Sequence, residues 1–240
     1  MKTYSITDVG MVRKVNQDYV FCYENPVGNL PNLFVVADGM GGHQAGDYAS
    51  RCCVENLATS VKNGKAKSPI SVMEEAINTA NLAVFRQAES NPDLYGMGTT
   101  MVATTIVGNE MYIANIGDSR AYIIHKDQIK QITEDHSWVQ EMIRNGQLES
   151  KDARSHKNKN VITRAIGTSA MVQADYFELT VTEGDILLMC TDGLTNMLED
   201  EDILDVIQEK DTVEAMGKEL IRAANANGGK DNIGIVLVQI

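Results

Sequence analysis

The stretch LFVVADGMGGHQAGD, residues 33–47, decides the fold and carries the first candidate site. Its apolar start is typical of a buried strand, and the strand ends at Asp38 and Gly39. Glycines at positions 39, 41 and 42 let the backbone approach a ligand closely, so a carbonyl oxygen could join the carboxylate. Taken alone, however, an Asp-Gly pair after a strand favours a two-residue hairpin turn over a binding site.

The same pattern recurs along the chain. Apolar runs end at Asp118 and at Asp192, and Asp231 stands just before the final apolar run, residues 233–238. If these strands pack in one core, their acidic ends can converge, and clustered carboxylates repel one another unless cations bind between them. Because the candidate ligands are carboxylate and carbonyl oxygens without a nearby histidine or thiolate, they favour magnesium or manganese over zinc or copper.

Such a site could carry out phosphate chemistry. Two hard cations about 4 Å apart can hold a bridging water, lower its pKa and direct it at phosphorus for in-line attack. Arg13 lies in a polar stretch with Gln17 and Asp18, and its fork of donors suits phosphate oxygens. The alternative for Arg13 is a solvated loop charge.

Composition limits the classes of protein and partner that remain possible. The 240 residues, 43% of them hydrophobic, can bury one large core, so we expect a single domain spanning residues 1–240. A net charge of −12 argues against nucleic acid or an anionic membrane as a partner. No apolar run approaches the roughly 18 residues of a membrane span, and the N-terminus lacks the apolar stretch of a signal peptide. We therefore expect a cytoplasmic protein without membrane insertion, and a monomer.

The order of predicted elements favours one architecture. Strands are followed by two helices, then by more strands, two further helices and a last strand, which suits packed β-sheets with helices outside rather than alternating βαβ units. Within this order we expect a continuous strand over residues 98–107 and a helix over residues 135–145 with Trp138 facing inward.

Residues 149–160, ESKDARSHKNKN, form a basic segment with one apolar residue, which cannot bury itself. A solvated loop is the simpler interpretation. Because a basic cluster is unusual in so acidic a chain, the alternative is a flap in which Arg154 and His156 contact an acidic or phosphorylated substrate.

Taken together, the motifs resemble one family along essentially the whole chain, the metal-dependent Ser/Thr protein phosphatases of type 2C in their compact bacterial form. Each motif alone is weak, but seven in order are specific. They are R-x-x-N-Q-D (13–18), ADGMGGH (37–43), GTT (98–100), IGDSRAY (116–122), RAIG (164–167), CTDGL (190–194) and KDNIG (230–234).

The resemblance implies an α+β fold, a four-layer αββα sandwich of two mostly antiparallel sheets flanked by helix pairs, with a flap subdomain at about residues 138–165. It implies two Mn²⁺ or Mg²⁺ ions per chain at the tip between the sheets. The resemblance assigns Asp38 to bridge both ions, the Gly39 carbonyl to bind the second ion, and Asp192 and Asp231 to bind the first. Asp118 and Asp192 would form a third and weaker site. Asp18 would bind metal-bound water, and Arg13 would bind the substrate phosphate.

Two positions depart from the pattern of many eukaryotic members. They have histidine, the proposed general acid, where this chain has Met40, and glutamate where it has Gln17. Because a serine or threonine oxygen is a poor leaving group, something must protonate it. His43 or a metal-bound water are the candidates.

The resemblance implies hydrolysis of phosphoserine and phosphothreonine in proteins, with a membrane Ser/Thr kinase and its targets as partners. A catalytically inactive phosphoprotein-binding module with this fold is the main alternative, and a two-metal phosphodiesterase is another. Retention of Arg13 together with Asp38, Asp192 and Asp231 argues against the first, and the absence of the histidines that such sites recruit argues against the second. The chain also lacks the glycine-rich nucleotide-binding motifs.

Overall fold

A computed structural model describes residues 1–42, 45–154 and 156–240. Its strands, in chain order, are β1 (Lys2–Asp8), β2 (Asp18–Tyr23), β3 (Leu33–Met40), β4 (Gly98–Thr99), β5 (Met101–Val107), β6 (Glu110–Ile116), β7 (Arg120–His125), β8 (Gln128–Gln131), β9 (Asp175–Thr180), β10 (Ile186–Cys190) and β11 (Ile233–Gln239). Its helices are α1 (Ala45–Asn63), α2 (Pro69–Ser90), α3 (Trp138–Arg144), α4 (Ser150–Ala153), α5 (Asp192–Thr195), α6 (Asp200–Gln208) and α7 (Val213–Ala226).

The strands form two antiparallel sheets. One has the order β1-β11-β10-β7-β8, and the other has the order β2-β3-β5-β6-β9 with β4 paired to β3. The hairpin pair β2–β3 sets Asp18 directly opposite Asp38. Two acids from different motifs are therefore neighbours already at the level of strand register.

Alternating side chains on each central strand explain the layers, because successive residues of a strand point to opposite faces. On β3, Val35 and Ala37 belong to the core shared with α1 and α2, whereas Phe34 and Val36 pack between the sheets. On the other sheet, Leu188 packs with α6 and α7. The layers run helix, sheet, sheet, helix, which confirms the predicted α+β four-layer αββα sandwich.

The expected strand over residues 98–107 is interrupted at Thr100, between β4 and β5. The Thr100 amide donates to the Asp38 carbonyl oxygen at 2.9 Å, and its hydroxyl accepts from the Asp38 amide at 2.9 Å. Thr100 therefore uses its polar groups to fix the end of β3 rather than to continue a regular ladder.

The expectation that Trp138 faces inward is wrong, because Trp138 is 46% exposed whereas its neighbour Val139 is buried. Helix α3 begins at Trp138, later than expected, with Ser137 as its N-cap. Asp135 is held before the helix by the Arg120 guanidinium, at 2.7 Å. None of the described helices is both long and apolar enough to cross a membrane.

A buried carboxylate closes the turn before β10. Asp185 accepts hydrogen bonds from the Thr182 amide at 2.8 Å and is paired with the His125 ring at 2.6 Å. Burial alone would raise the pKa of Asp185, but these hydrogen bonds outweigh it and hold the pKa below its ordinary value of 3.8. The ionised form is therefore the one that stabilises this turn.

We expect Asp185→Asn to lower the free energy of unfolding by about 1–2 kcal/mol at pH 7. Because the folded-state pKa is depressed, this contribution is present above the unfolded pKa of about 3.9 and is lost as the pH falls through the folded value. Urea unfolding from pH 7 to pH 3 should show the two proteins converging in acid. Asp127→Asn, at an exposed position nearby, is the matched control, and a constant difference at all pH values would contradict this explanation.

Candidate metal and phosphate site

Carboxylates from four separate strand ends meet in one pocket of about 260 Å³. Asp38 lies near the end of β3, Asp118 follows β6, Asp192 follows β10, and Asp231 precedes β11. Arg13, on the loop between β1 and β2, lines the same pocket. The predicted convergence of distant acids is therefore present in the fold.

The backbone around Asp38 is fixed on both sides. Its carbonyl oxygen accepts from the Thr99 hydroxyl at 2.8 Å, and the next amide, of Gly39, donates to the Gln17 carbonyl oxygen at 3.1 Å. A side chain at Gly39 would place its Cβ 2.0 Å from the Gly46 carbonyl oxygen. Only glycine fits between β3 and the start of α1, and its backbone lines the pocket.

Asp18, opposite Asp38 in the strand register, is buried. One carboxylate oxygen, Oδ2, accepts from the Thr191 hydroxyl at 2.8 Å, and that hydroxyl accepts in turn from the Gly234 amide at 2.8 Å. The other oxygen, Oδ1, is buried without a hydrogen-bond partner among the described residues. A buried, unpaired anionic oxygen is costly unless a cation or donor reaches it.

Asp192 has the same arrangement. Its Oδ2 accepts from the Asn196 side-chain amide at 2.8 Å, while its Oδ1 is also buried and unpaired in the described part of the chain. Asp231 differs, because its Oδ2 contacts the Arg13 guanidinium at 2.7 Å and its Oδ1 accepts from the Asn232 amide at 2.9 Å.

Asp118 sits on a tight turn after β6. Gly117 has a φ of +103°, in the region that favours glycine. The Gly117 amide donates to Nδ1 of His136 at 3.1 Å, and Nε2 of that ring faces Asp175 Oδ2 at 3.1 Å. Because Nδ1 accepts, the ring proton is assigned to Nε2. The buried His136 thus supports the turn that presents Asp118.

The carboxylates raise one another's proton affinity. Burial, followed by repulsion from neighbouring acids, raises the pKa of Asp118 to about 8. Burial and the charge of Asp231 raise the pKa of Asp192 to about 6. The pKa values of Asp18 and Asp38 are also raised well above the ordinary range, chiefly by burial. A site that disfavours its own negative charge gains most from bound cations.

The chemistry of these residues suits a hard divalent ion. The pocket offers carboxylate and carbonyl oxygens, and one buried oxygen each of Asp18 and Asp192 has no hydrogen-bond partner among the described residues. Across residues 1–42, 45–154 and 156–240, however, no three acidic, histidine or cysteine side chains form a compact ligand cluster. The carboxylates share a pocket and interact electrostatically without converging on one point. The strand positions fix the pocket, whereas the carboxylate side chains can change rotamer when a cation binds.

The end of the basic segment and the residues just after it reach the pocket, rather than the residues predicted to do so. Asn160 and Ile162 line it, whereas the Arg154 guanidinium donates to the Leu198 carbonyl oxygen at 2.7 Å. His156 Nδ1 accepts from the Asn158 amide at 3.2 Å. Substrate binding by Arg154 and His156 stays a prediction, and His43, the candidate general acid, lies outside the described residues.

Sequence reasoning missed the role of Asn232. Its buried side-chain amide donates to the carbonyl oxygens of Val9 and Val15, at 2.9 and 3.0 Å, and its oxygen accepts from the Gln17 amide at 2.9 Å. One carboxamide therefore fastens the loop that carries Arg13 at three points. The only signal in the sequence was its position directly after Asp231.

We expect Asn232→Ala to destabilise the fold by about 2–3 kcal/mol, since three partly buried backbone groups lose their partner. It should also raise KM for a phosphopeptide about tenfold, because Arg13 is no longer held in place. Thermal unfolding and steady-state kinetics measure both effects. Asn227→Ala, at an exposed amide that donates to Met197, is the control, and equal behaviour of the two variants would contradict the role of Asn232.

Comparison with known proteins identifies the family. The model of the family described as protein phosphatase 2C matches residues 4–233. The chain belongs to the protein phosphatase 2C (PP2C) family. It is 39% identical over 237 residues to the serine/threonine phosphatase stp of Listeria innocua, a match that covers 97% of this chain and 93% of the relative.

Solved structures agree with the PP2C assignment. The serine/threonine phosphatase of S. agalactiae matches with a TM-score of 0.92 and 37% identity, covering 100% of this chain and 99% of that one. The catalytic domain of the serine threonine protein phosphatase PstP, in complex with two manganese ions, matches with a TM-score of 0.87 and 32% identity over 99% of this chain and 97% of that one. PP2C-family phosphatases are metal-dependent, which agrees with the donor set described above.

Proposed function

We propose that this PP2C protein removes phosphate from phosphoserine and phosphothreonine in proteins, with Mn²⁺ or Mg²⁺ bound at the carboxylate pocket. The observation that carries the proposal is the meeting of Arg13 with Asp38, Asp192 and Asp231 in one pocket. A phosphate ester held by cations requires a guanidinium that binds the phosphate and unpaired carboxylate oxygens that bind the cations.

Asp38, the Gly39 carbonyl, Asp192 and Asp231 would hold two ions, and Asp118 with Asp192 a third. When bound, such ions polarise phosphoryl oxygens and lower the pKa of water. Asp18 lies opposite Asp38 in the strand register with a free oxygen, so it can accept a hydrogen bond from a water in the pocket.

Arg13 supplies positive charge to the phosphoryl oxygens. Its guanidinium is half-exposed and pairs with Asp231 through one nitrogen, Nη2, which leaves further donors for a substrate. Donors fixed before the substrate arrives stabilise the charge that spreads over the phosphoryl oxygens in the transition state. The leaving serine or threonine oxygen needs a proton, and His43 remains the candidate donor from this chain.

We further propose one catalytic domain over residues 1–240 with a flap at about residues 138–165. It would act as a cytoplasmic monomer on phosphorylated proteins, among them the targets of a cognate Ser/Thr kinase. The acidic composition and the contact of flap residues Asn160 and Ile162 with the pocket support this part of the proposal.

The test is release of inorganic phosphate from a phosphothreonine peptide. We expect activity with Mn²⁺, loss of activity with a chelator and recovery when the metal is restored, and very low activity for Asp192→Ala under all conditions. Activity that survives both chelation and the substitution would overturn the metal mechanism. Peptide binding without phosphate release by the wild type would instead favour an inactive phosphoprotein-binding module.

A further inference from the structure

The flap is attached to the segment that follows Asp192 by two cationic side chains. Arg154 donates to the Leu198 carbonyl oxygen at 2.7 Å and forms an ion pair with Glu199 at 2.7 Å. Lys159, half-buried, donates from Nζ to the Asn196 side-chain oxygen at 3.0 Å. The flap therefore contacts residues 196–199, which follow the short helix α5.

The second attachment continues to a candidate metal ligand. Asn196 accepts from Lys159 with its side-chain oxygen and donates from Nδ2 to Oδ2 of Asp192 at 2.8 Å. The other oxygen of Asp192, Oδ1, is buried and unpaired within the described chain. Lys159, Asn196 and Asp192 thus form a continuous chain from the flap to an oxygen suited to a cation.

The chemistry of the two partners fixes the orientation of the Asn196 amide. Lys159 can only donate and an ionised Asp192 can only accept, so the amide oxygen has to face the lysine and the NH₂ group the carboxylate. The reversed amide would place two donors together and two acceptors together. Removing the lysine removes one of the two contacts that hold this amide, so Asn196 is held against Asp192 less firmly.

We propose that Lys159 is a positioning residue of the flap, which holds Asp192 in its metal-binding orientation through Asn196. Docking of the flap and affinity for a divalent cation are then coupled, and the coupling is reciprocal, so cation binding also favours the docked flap. This inference rests on the proposed function, because it takes Asp192 as a metal ligand.

The test is Mn²⁺ affinity by titration calorimetry on the full chain, a readout that does not depend on turnover. Lys159→Met removes the charge and the donors at similar length, and Asn196→Ala removes the bridge. We expect each to weaken Mn²⁺ binding about tenfold, the size typical of groups that orient a metal ligand. The double variant should lose no more than either single variant, since both act through one chain of contacts.

Lys157→Met is the matched control, because it removes the same charge from an exposed position in the same segment, and its Mn²⁺ affinity should equal that of the wild type. Circular dichroism and thermal unfolding should show all variants folded. Unchanged affinity in Lys159→Met, equal losses in both lysine variants, or additive losses in the double variant would each overturn the inference. Absence of Mn²⁺ binding by the wild type would instead overturn the proposed function.

Discussion

Asp38→Asn is expected to lower kcat for a phosphothreonine peptide by on the order of 10³-fold, equivalent to about 4 kcal/mol of transition-state stabilisation. The carboxylate would be a ligand of the bound cations, and an amide of the same shape carries no charge to bind a hard cation. The fold should be unaffected, because the hydrogen bonds that fix this residue come from its backbone, to Thr99 and Thr100.

The same variant should be more stable than the wild type in metal-free buffer at neutral pH. Burial and the charges of Asp18 and Asp192 raise the pKa of Asp38, so the folded state disfavours its ionised form above the ordinary pKa. Asparagine removes that cost. Conversely, Mn²⁺ should raise the Tm of the wild type more than that of the variant. A ligand that binds the native state and not the unfolded state stabilises the fold, and the variant should bind Mn²⁺ more weakly. Retained activity, or a lower Tm without metal, would contradict this account of Asp38.

Arg13→Ala should lower kcat/KM by about 100-fold, through both KM and kcat, since its charge-assisted hydrogen bonds would bind the phosphate and stabilise the charge of the transition state. Arg13→Lys should recover part of the loss, because lysine keeps the charge but not the planar fork. The defect should be of similar size for a phosphopeptide and a small aryl phosphate, because the guanidinium binds the phosphate that both share. Steady-state kinetics on both substrates measure it.

Lys14→Ala is the control for Arg13, since it removes a neighbouring exposed cation from the same loop and should leave kcat/KM near the wild-type value. Equal effects at the two positions would mean that the loop contributes only general positive potential.

The strand-end acids could be predicted from the sequence because each borders an apolar run, and the run and its end are local patterns. The residues that support these acids and the nearby loop could not be predicted in this way. Asn232 contacts Gln17, 215 residues away, and Thr191 contacts Asp18, 173 residues away. Such pairs depend on which strands lie side by side, and periodicity in one segment carries no information about its partner in another.

The errors at Thr100 and Trp138 have the same origin. Residues 98–107 have the composition of one strand, but Thr100 is diverted to the Asp38 backbone. Asp135 would suit the start of a helix, but Arg120 holds it in a partly buried ion pair. In both segments a tertiary contact overrides the local preference.

The most direct test of the account is the number of Mn²⁺ ions bound per folded chain, measured by equilibrium dialysis for the wild type and for Asp38→Asn. We predict two ions bound saturably by the wild type, with any third much weaker, and loss of tight binding in the variant. A folded wild-type protein that binds no Mn²⁺ saturably, or a variant that binds it equally well, would contradict the claim that distant carboxylates of this chain together hold divalent cations.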